Sequence, residues 1–459
     1  MTPRARGARW AVALLALAGV GCPGQPPEVC LVGAPSPTTP PRMFAVDEEA
    51  VVPAVATLPV DCGTTSLTPN TLPESVTVTL TDPDNLPVEA TVELTPDRTG
   101  ATVRFTPTRL GRHHAIVAFA PVGSLHQFDV QVAENGRDRP ELARLTPGRE
   151  CLYLDRTRRG TWVCDDVALK ATPNTHQDLG AFGESSTKVA GDVVWTVSSE
   201  GSVRRYVDAG ASGGLTLTGT SPLPPNALSN QEAFARLATE DEYLLLTPRR
   251  LYRYTFTPEQ GVQAAPSTSW VKEDTGNASQ VALRAGATLW LMHSTSTSSP
   301  PNLGTHVCPF VLGPSGGYVA RPDPGCYDLT GVPLAFEEDV VWTWETQSRG
   351  EQMPVHVLYR YVATETGMVR QGIVQFETQL SLYPGSLRYG TTLPLVANPA
   401  GQGPFATVRW NPSTQGVTFV LHPKSSSAGI APRASSHFVW GPSPDNPSEL
   451  SVYPWPPPP

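Results

Sequence analysis

Seven cysteines restrict the chemistry of this 459-residue chain more than any other residue type. Cys22 ends an apolar N-terminal segment, and the other six can pair completely. A zinc site is the alternative, with His306-Val307-Cys308 as its best fragment, but no C-x-x-C spacing accompanies it. We therefore predict disulfides and no metal site. The sequence does not fix the connectivity, but sequential pairing closes three short loops: Cys30 with Cys62, Cys151 with Cys164, and Cys308 with Cys326.

Catalytic motifs are weak in this sequence. Residues 313–317, Gly-Pro-Ser-Gly-Gly, match the G-x-S-x-G nucleophile elbow, but the elbow needs a helix after the Ser, and Tyr-Val-Ala-Arg-Pro follows here. A tight turn between strands is therefore predicted. Adjacent residues of a strand face opposite sides, so His113 and His114 should not chelate one metal together. Residues 337–339, Glu-Glu-Asp, could line a cation site, but a solvated acidic turn is the simpler interpretation. We predict no catalytic residue and no cofactor.

The amino terminus has the layout of a secretory signal peptide. Arg4, Arg6 and Arg9 precede a short apolar run over residues 10–20. The run ends in Gly19-Val20-Gly21-Cys22, which resembles the lipobox of bacterial lipoproteins. The resemblance implies that residues 1–21 are removed, that Cys22 is acylated, and that the rest is held at a membrane only by lipid. Pro23 after the Cys resembles lipoproteins exported to the outer membrane. The alternative is an ordinary signal peptide, with Cys22 left as a disulfide partner.

Composition excludes several classes of protein. The chain contains 49 Pro and 39 Gly, and both residues disfavour helix interiors, so we predict an all-β protein. Hydrophobic residues make up 39%, enough to bury cores, and the length predicts two or more domains. The net charge is −9 and no basic cluster with interleaved aromatic residues occurs, so nucleic-acid binding is not expected. Residues 22–43 are Pro-rich and predict an extended tether on the lipid anchor.

Alternating strands follow the tether. Five segments between residues 44 and 134 alternate apolar and polar residues, which predicts an antiparallel β-sandwich. The acidic turn at residues 82–85 could bind calcium, although a plain Asx turn is the simpler interpretation. Residues 103–132 resemble the carboxy-terminal half of filamin-type immunoglobulin-like repeats, which implies a role in spacing and protein contact. The segments are Ser75–Leu80, Ala90–Leu94, Thr102–Phe105, Ala115–Phe119 and Phe128–Val132.

A longer repeat follows a charged segment, residues 135–150, which we interpret as a linker. Apolar strands recur at intervals of 45 to 53 residues, which is typical of propeller blades. Several are followed by a second strand with the pattern apolar residue, Tyr or Arg, Arg, Tyr, as in Leu251–Tyr254 and Leu358–Tyr361. This order of strands resembles the repeat of quinoprotein-like propellers. We predict a propeller of six or seven blades over residues 151–455, with Trp residues packing between blades, and a Pro tail at 456–459. The strands centre on Trp195, Leu245, Trp290, Trp342, Leu395 and Trp440.

Two functions are compatible with this organisation. The first is a non-catalytic envelope lipoprotein, in the outer membrane, whose propeller binds a protein or glycan partner. The second is an exported propeller enzyme, such as a quinoprotein-like oxidoreductase or a polysaccharide lyase. We favour the first because no catalytic constellation is supported by its sequence context.

Overall fold

The computed structural model describes the chain in segments that extend from Val29 to Pro454. Regular secondary structure in these segments is β-strand, which confirms the all-β prediction. No helix in them is long and apolar enough to cross a bilayer. The predicted signal peptide, Cys22 and the Pro tail lie outside the described residues. The segments are 29–32, 42–61, 71–136, 141–148, 151–170, 175–180, 187–210, 214–225, 227, 235–247, 250–270, 280–295, 304–337, 339–349, 352–376, 381–382, 388–389, 393–396, 405–411, 416–421, 433–434, 437–443, 445–446 and 448–454.

The first strands of the chain form a two-sheet sandwich. One sheet has the order β3-β7-β6, and the other contains β5, β8 and β9, with β2 paired in parallel to β9. All five segments predicted from alternation lie in β5 to β9. The strands are β1 (Val29–Val32), β2 (Arg42–Ala45), β3 (Ala50–Val55), β4 (Leu58–Asp61), β5 (Ser75–Thr81), β6 (Ala90–Leu94), β7 (Gly100–Phe105), β8 (Gly111–Ala120) and β9 (Ser124–Asn135).

The sandwich folds because its strands bury every second side chain. Strand β3 alternates buried and exposed residues along its whole length, as a period of two requires. Val52 and Val103 from one sheet and Val117, Phe119 and Val130 from the other share one core. Strand β1 pairs antiparallel with β4, so residues 29–32 of the predicted tether lie against this module.

The rest of the chain forms seven sheets among the described residues, which we call sheets 1 to 7; their strands pair antiparallel, except that β34 (Arg388–Tyr389) pairs in parallel with β29 (Val332–Glu337) of sheet 5. Sheets 1 to 3 follow a short strand, β10 (Ala143–Leu145). Sheet 1 contains β11 (Leu154–Arg156), β12 (Trp162–Cys164), β13 (Val167–Lys170) and β14 (Thr175–Asp178); sheet 2 contains β15 (Thr187–Ala190), β16 (Val193–Val197), β17 (Ser202–Asp208) and β18 (Leu215–Pro222); sheet 3 contains β19 (Ala235–Ala238), β20 (Glu242–Leu246), β21 (Arg250–Thr257), β22 (Gly261–Ala264) and β23 (Thr268–Ser269).

Sheets 4 to 7 complete the series, and β10 joins the last of them. Sheet 4 contains β24 (Gln280–Ala285), β25 (Thr288–Thr295), β26 (Gly304–Leu312), β27 (Tyr318–Ala320) and β28 (Tyr327–Thr330); sheet 5 contains β29 (Val332–Glu337), β30 (Val340–Arg349), β31 (Gln352–Ala363) and β32 (Met368–Phe376), and its β29 also pairs with β34 (Arg388–Tyr389); sheet 6 contains β33 (Ser381–Leu382), β35 (Leu393–Val396), β36 (Phe405–Asn411) and β37 (Gly416–Leu421); sheet 7 contains β38 (Arg433–Ala434), β39 (Phe438–Pro442) and β40 (Leu450–Pro454).

The seven sheets follow one another in a propeller-like ring, in which the last sheet contacts the first. The first strands of successive sheets contact one another, from β11 to β15, β19, β24 and β29. Strand β10 pairs with β40, so the last sheet contains a strand from each end of the ring. The side chains of Leu145, Trp440 and Val452 in sheet 7 pack with Trp162 and Leu169 in sheet 1. Strand β10 lies within residues 135–150, so the predicted linker contributes a strand to sheet 7.

The six repeat centres predicted from the sequence all lie in the second strands of sheets 2 to 7. Three of the tryptophans donate the indole N–H to a carbonyl oxygen of the neighbouring sheet. Trp195 donates to Thr239 at 2.9 Å, Trp290 to Thr364 at 2.8 Å, and Trp440 to Cys151 at 2.9 Å. The prediction that Trp residues pack between blades is confirmed, and the last bond spans the closure of the ring.

The sandwich docks on the outer edge of sheet 6. Strand β9 pairs in parallel with β37, so the two modules share one continuous sheet. The Arg409 guanidinium donates to the Glu134 carboxylate at 2.8 Å, and the Gly136 amide donates to the Leu421 carbonyl at 2.7 Å. Met43 and two alanines of the sandwich pack against side chains of sheets 5 and 6, which makes this junction a buried contact.

Candidate functional site

The cysteines predicted to form disulfides lie in three places. Cys151 and Cys164 are joined with a Cα–Cα distance of 5.5 Å, and Cys308 and Cys326 with a distance of 4.3 Å. These two pairs support the sequential connectivity. Cys30 lies opposite Val60 in the β1–β4 pairing, while Cys62 is outside the described residues.

Two groups of donor atoms are close enough for a metal ion. The Cys308 and Cys326 sulfurs lie within 4.8 Å of a His306 nitrogen, and Cys151 and Cys164 have Asp165 as their third member. The cysteines of both groups are disulfide-bonded, so they supply no thiolate ligands. The Asp165 carboxylate is also occupied, because it accepts the backbone N–H groups of Leu152 and Tyr153 at 2.9 Å.

Residues 313–317 form a tight turn between β26 and β27, as predicted. The Gly313 amide donates to the Gly317 carbonyl at 2.8 Å, and Gly316 has a φ of +81°. The Arg253 guanidinium of sheet 3 donates to the Gly316 carbonyl at 2.8 Å, so the turn contributes to the contact between sheets 3 and 4. The segment is therefore a structural turn and not a nucleophile elbow.

Charged side chains beside this turn also link sheets 3 and 4. The Glu242 carboxylate accepts hydrogen bonds from both Arg253 and Arg284, and Arg284 also donates to the Tyr318 hydroxyl at 2.8 Å. Burial lowers the pKa of Arg284, but the Glu242 charge outweighs it and raises the pKa above its usual value. Burial raises the pKa of Tyr318, so its hydroxyl stays protonated. This cluster is an inter-sheet clamp.

Two groups in the sandwich are occupied by local partners. The Asp82 carboxylate accepts the backbone N–H groups of Asp84 and Leu86 at 2.9 and 2.8 Å, which confirms the Asx turn. Arg109 lies between the Asp82 and Asp84 carboxylates and supplies the positive charge there. His113 is buried, whereas His114 is exposed and lies 2.9 Å from Asp129, so these two histidines face opposite sides as predicted. The backbone of Asp339, in the acidic segment, accepts the Ala363 amide.

Sheet 4 brings together a row of three titratable residues that the sequence analysis missed. His293 on β25 lies opposite His306 on β26, and His306 lies opposite Asp328 on β28. Opposite residues in an antiparallel pair lie on the same face of the sheet. Trp270, after β23, contacts His293 edge-on with ring centroids 5.5 Å apart. We call His293, His306 and Asp328 the histidine row.

The hydrogen bonds of the row fix the state of one imidazole. Nδ1 of His306 lies 2.8 Å from the Asp328 carboxylate. Because a carboxylate only accepts, the Nδ1 atom of His306 carries a proton, and in the neutral ring the lone pair lies on Nε2. His293 is 7% exposed, and its Nδ1 has no hydrogen-bond partner among the described residues. Burial lowers the pKa of His293, as does the neighbouring His306, so its imidazole is neutral near pH 7. The row therefore offers two imidazoles, and one nitrogen of each can bind a metal ion.

Comparison with known proteins adds only distant similarities. No protein-family model matches the chain, and no curated protein is similar to it. Among solved structures, a protein from Lactobacillus plantarum is 11% identical, with 68% of this chain and 93% of that chain covered and a TM-score of 0.36. A quinoprotein alcohol dehydrogenase-like protein from Bacteroides thetaiotaomicron is 8% identical, with 86% and 94% covered and a TM-score of 0.30. The WD40 domain of SCAP from fission yeast is 10% identical, with 93% and 94% covered and a TM-score of 0.29.

Proposed function

We propose that this protein is a lipid-anchored envelope protein that acts as a non-catalytic binding or assembly scaffold. Its immunoglobulin-like sandwich carries a seven-bladed propeller, and the propeller binds a protein or glycan partner. The lipobox-like segment ending at Cys22 supports the anchor, and the Pro-rich segment after it supports a stalk. The parallel pairing of β2 with β9 and the two-sheet core support the sandwich assignment.

The observation that carries the scaffold function is the continuous sheet between the two modules. Strand β9 follows the anchored end of the chain and pairs directly with β37 of the ring. The Arg409–Glu134 ion pair at this junction is mostly shielded from water, with 16% and 28% of the two side chains exposed. A module attached in this way is held at a fixed orientation to the ring, which suits a protein that presents a binding surface at a set place on a membrane.

Inter-sheet bonding within the ring also supports a rigid platform. The Arg205 guanidinium of sheet 2 stacks on Phe256 of sheet 3 at 3.7 Å and donates to the Glu240 carbonyl at 3.0 Å. Together with the tryptophan bonds and the Glu242 clamp, this contact uses large polar side chains to join neighbouring sheets. These contacts indicate that the side chains hold neighbouring sheets rigidly together and do not act as reactive groups.

The anchor is tested by replacing Cys22 with Ser in cells fed with labelled fatty acid. We expect the wild-type chain to incorporate label and to fractionate with membranes, and the Cys22→Ser chain to do neither. Pro23→Ala is the matched control, because it changes the adjacent residue and keeps the acylated sulfur. Equal membrane association of the wild type and the Cys22→Ser variant would exclude a lipid anchor.

The scaffold function is tested with a photo-crosslinking residue placed at exposed positions of the ring. Glu200, with a side chain 77% exposed, and Leu312, 51% exposed, are two such positions. Leu125 of the sandwich, 57% exposed, is the control. We expect one defined protein or glycan adduct from a ring position and none of that adduct from Leu125. A scan around the ring that yields no adduct, or the same adducts from the sandwich, would contradict the proposal.

A further inference from the structure

We propose that the histidine row of sheet 4 binds one divalent transition-metal ion, zinc(II) or copper(II), through His293 and His306. The proposal goes beyond the scaffold function and does not depend on it. It rests on the position of the two imidazoles, on the nitrogen lone pairs that they leave open, and on the carboxylate behind one of them.

The strand pairing places the two imidazoles side by side. His293 and His306 are direct partners in the β25–β26 register, so their side chains leave the same face of the sheet. Directly opposite residues in an antiparallel pair have Cβ atoms about 4.5–5.5 Å apart. This separation lets two histidine side chains reach one ion without any movement of the backbone.

The distance between the rings matches a shared ion. A zinc–nitrogen bond is about 2.0–2.1 Å, so an ion bound in line with a ring nitrogen lies about 3.2 Å from the ring centroid. Two imidazoles on one ion therefore have centroids about 4.5 Å apart at a 90° angle and about 5.2 Å apart at the tetrahedral angle. The centroids of His293 and His306 are 5.3 Å apart, which agrees with a tetrahedral ion.

Both imidazoles have a nitrogen available as a ligand. His306 donates its Nδ1–H to Asp328 at 2.8 Å, which directs the Nε2 lone pair away from the carboxylate. A carboxylate behind a histidine is the usual support of a metal-bound imidazole, because it fixes the tautomer and the ring orientation. The Nδ1 atom of His293 is buried and has no hydrogen-bond partner among the described residues. A buried nitrogen without a partner is unfavourable, and a bound ion would satisfy it.

The donor atoms indicate which cations bind. Imidazole nitrogen favours zinc, copper and nickel, whereas magnesium and calcium require oxygen ligands. Two histidines leave two positions of a tetrahedral ion for water or an external ligand. The ion can enter beside His306, because 33% of that side chain is exposed. The nearby Cys308–Cys326 disulfide adds no thiolate, so binding should not require reduction.

The test is a titration of the purified full chain with zinc(II) and with copper(II), followed by calorimetry and by tryptophan fluorescence. We expect saturable binding of one ion, with no competition from magnesium. Copper(II) should quench Trp270, which contacts His293, so a Trp270→Phe chain should still bind the ion but lose that part of the quenching. His306→Gln should abolish the site, and Asp328→Asn should weaken it about tenfold, as expected for a carboxylate that supports a metal ligand.

The matched control is His114→Gln. His114 also pairs with a carboxylate, Asp129, at 2.9 Å, but it lies in the sandwich and has no second imidazole opposite. Metal binding by this control should equal that of the wild type. Because His293 is buried, the His293→Gln result is used only if the metal-free variant unfolds at the wild-type temperature. His306 is partly exposed, so His306→Gln tests the site independently of that condition. Binding that survives in His306→Gln, or that appears only after a dithiol reduces the disulfide, would overturn the proposal.

Discussion

One of the contacts that close the ring is a buried hydrogen bond, and it can be removed without greatly changing the shape of the core. Trp440 is 3% exposed and donates its indole N–H to the carbonyl oxygen of Cys151, which is 2% exposed. A Trp440→Phe substitution keeps an aromatic ring against Trp162 and Val452 but removes the donor. The Cys151 carbonyl then remains buried without this partner.

The expected cost follows from these contacts. Loss of the buried hydrogen-bond donor costs about 1–3 kcal/mol, and the smaller Phe side chain loses about 1 kcal/mol of packing. The closure should therefore weaken by about 2–4 kcal/mol, and the population of the open ring should rise roughly 30-fold to 900-fold. This opening exposes the β10–β40 pairing, where Leu145 lies opposite Leu450.

Native-state hydrogen exchange measures this opening strand by strand. Amides of β10 and β40 should exchange faster in Trp440→Phe by the factor above, while those of sheet 3 should keep their wild-type protection. Trp195→Phe is the matched variant, since it removes an equivalent 2.9 Å bond to Thr239 at a place away from the closure. It should loosen sheets 2 and 3 and leave β10 protected. Equal exchange of β10 in the two variants would refute the idea that Trp440 holds the ring shut.

Three other substitutions test the docking of the sandwich, a buried histidine and a disulfide. In Gly136→Ala the new Cβ would lie 2.4 Å from the Leu421 carbonyl oxygen, so we expect about 1–3 kcal/mol of strain and separate calorimetric transitions for the sandwich and the ring. Gly367→Ala is the control, because its Cβ would have its nearest contact at 3.7 Å, and it should keep the wild-type calorimetric profile. Burial lowers the pKa of His113, so the unfolded chain binds more protons below about pH 6.5 and stability should fall as the pH drops from 7 to 5. His113→Phe should flatten that dependence of the unfolding temperature, and an unchanged slope would assign it to other groups. Replacing both Cys151 and Cys164 by Ser removes a disulfide of sequence separation 13 and should lower the free energy of unfolding by about 3 kcal/mol in denaturant titrations. An unchanged free energy of unfolding would contradict a disulfide at this pair.

Local patterns account for the parts of the fold that could be predicted. The apolar runs centred on Trp195 and Trp342 are short, β-rich and bounded by turn residues, and each forms the second strand of a sheet. Alternation of apolar and polar residues over 75–80 predicts β5, because one face of that strand packs against the core. These signals depend only on neighbouring residues, so no knowledge of the partner strand is needed.

Strands defined by a distant partner could not be predicted. β10 has only three residues in a charged segment, and it forms because Val452 and Leu450 lie opposite it. β1 follows prolines and is held by β4. In both cases the local sequence favours an irregular segment, and long-range pairing overrides it.

The histidine row was missed for a similar reason. The near neighbour of His306 in the sequence is Cys308, whereas its partners His293 and Asp328 belong to other strands. Register decides which residues face each other, and a shift of one residue would place His293 on the opposite side of the sheet from His306. The Glu242 clamp shows the same limit, because its two arginines come from different sheets.

The closing strand, β10, is made long before the strand with which it pairs. β10 precedes the rest of the ring and pairs with β40, and Trp440 on the neighbouring β39 bonds to a residue 289 positions earlier in the chain. During synthesis the sandwich can form early, but β10 must wait until the final hairpin has been made. An unpaired edge is a site for wrong pairing between chains, and short length and charge are the features that blunt it. β10 has both, with three residues and Arg144 at its centre. Lengthening β10 with apolar residues should therefore promote aggregation of newly made chains, even where it strengthens the finished ring.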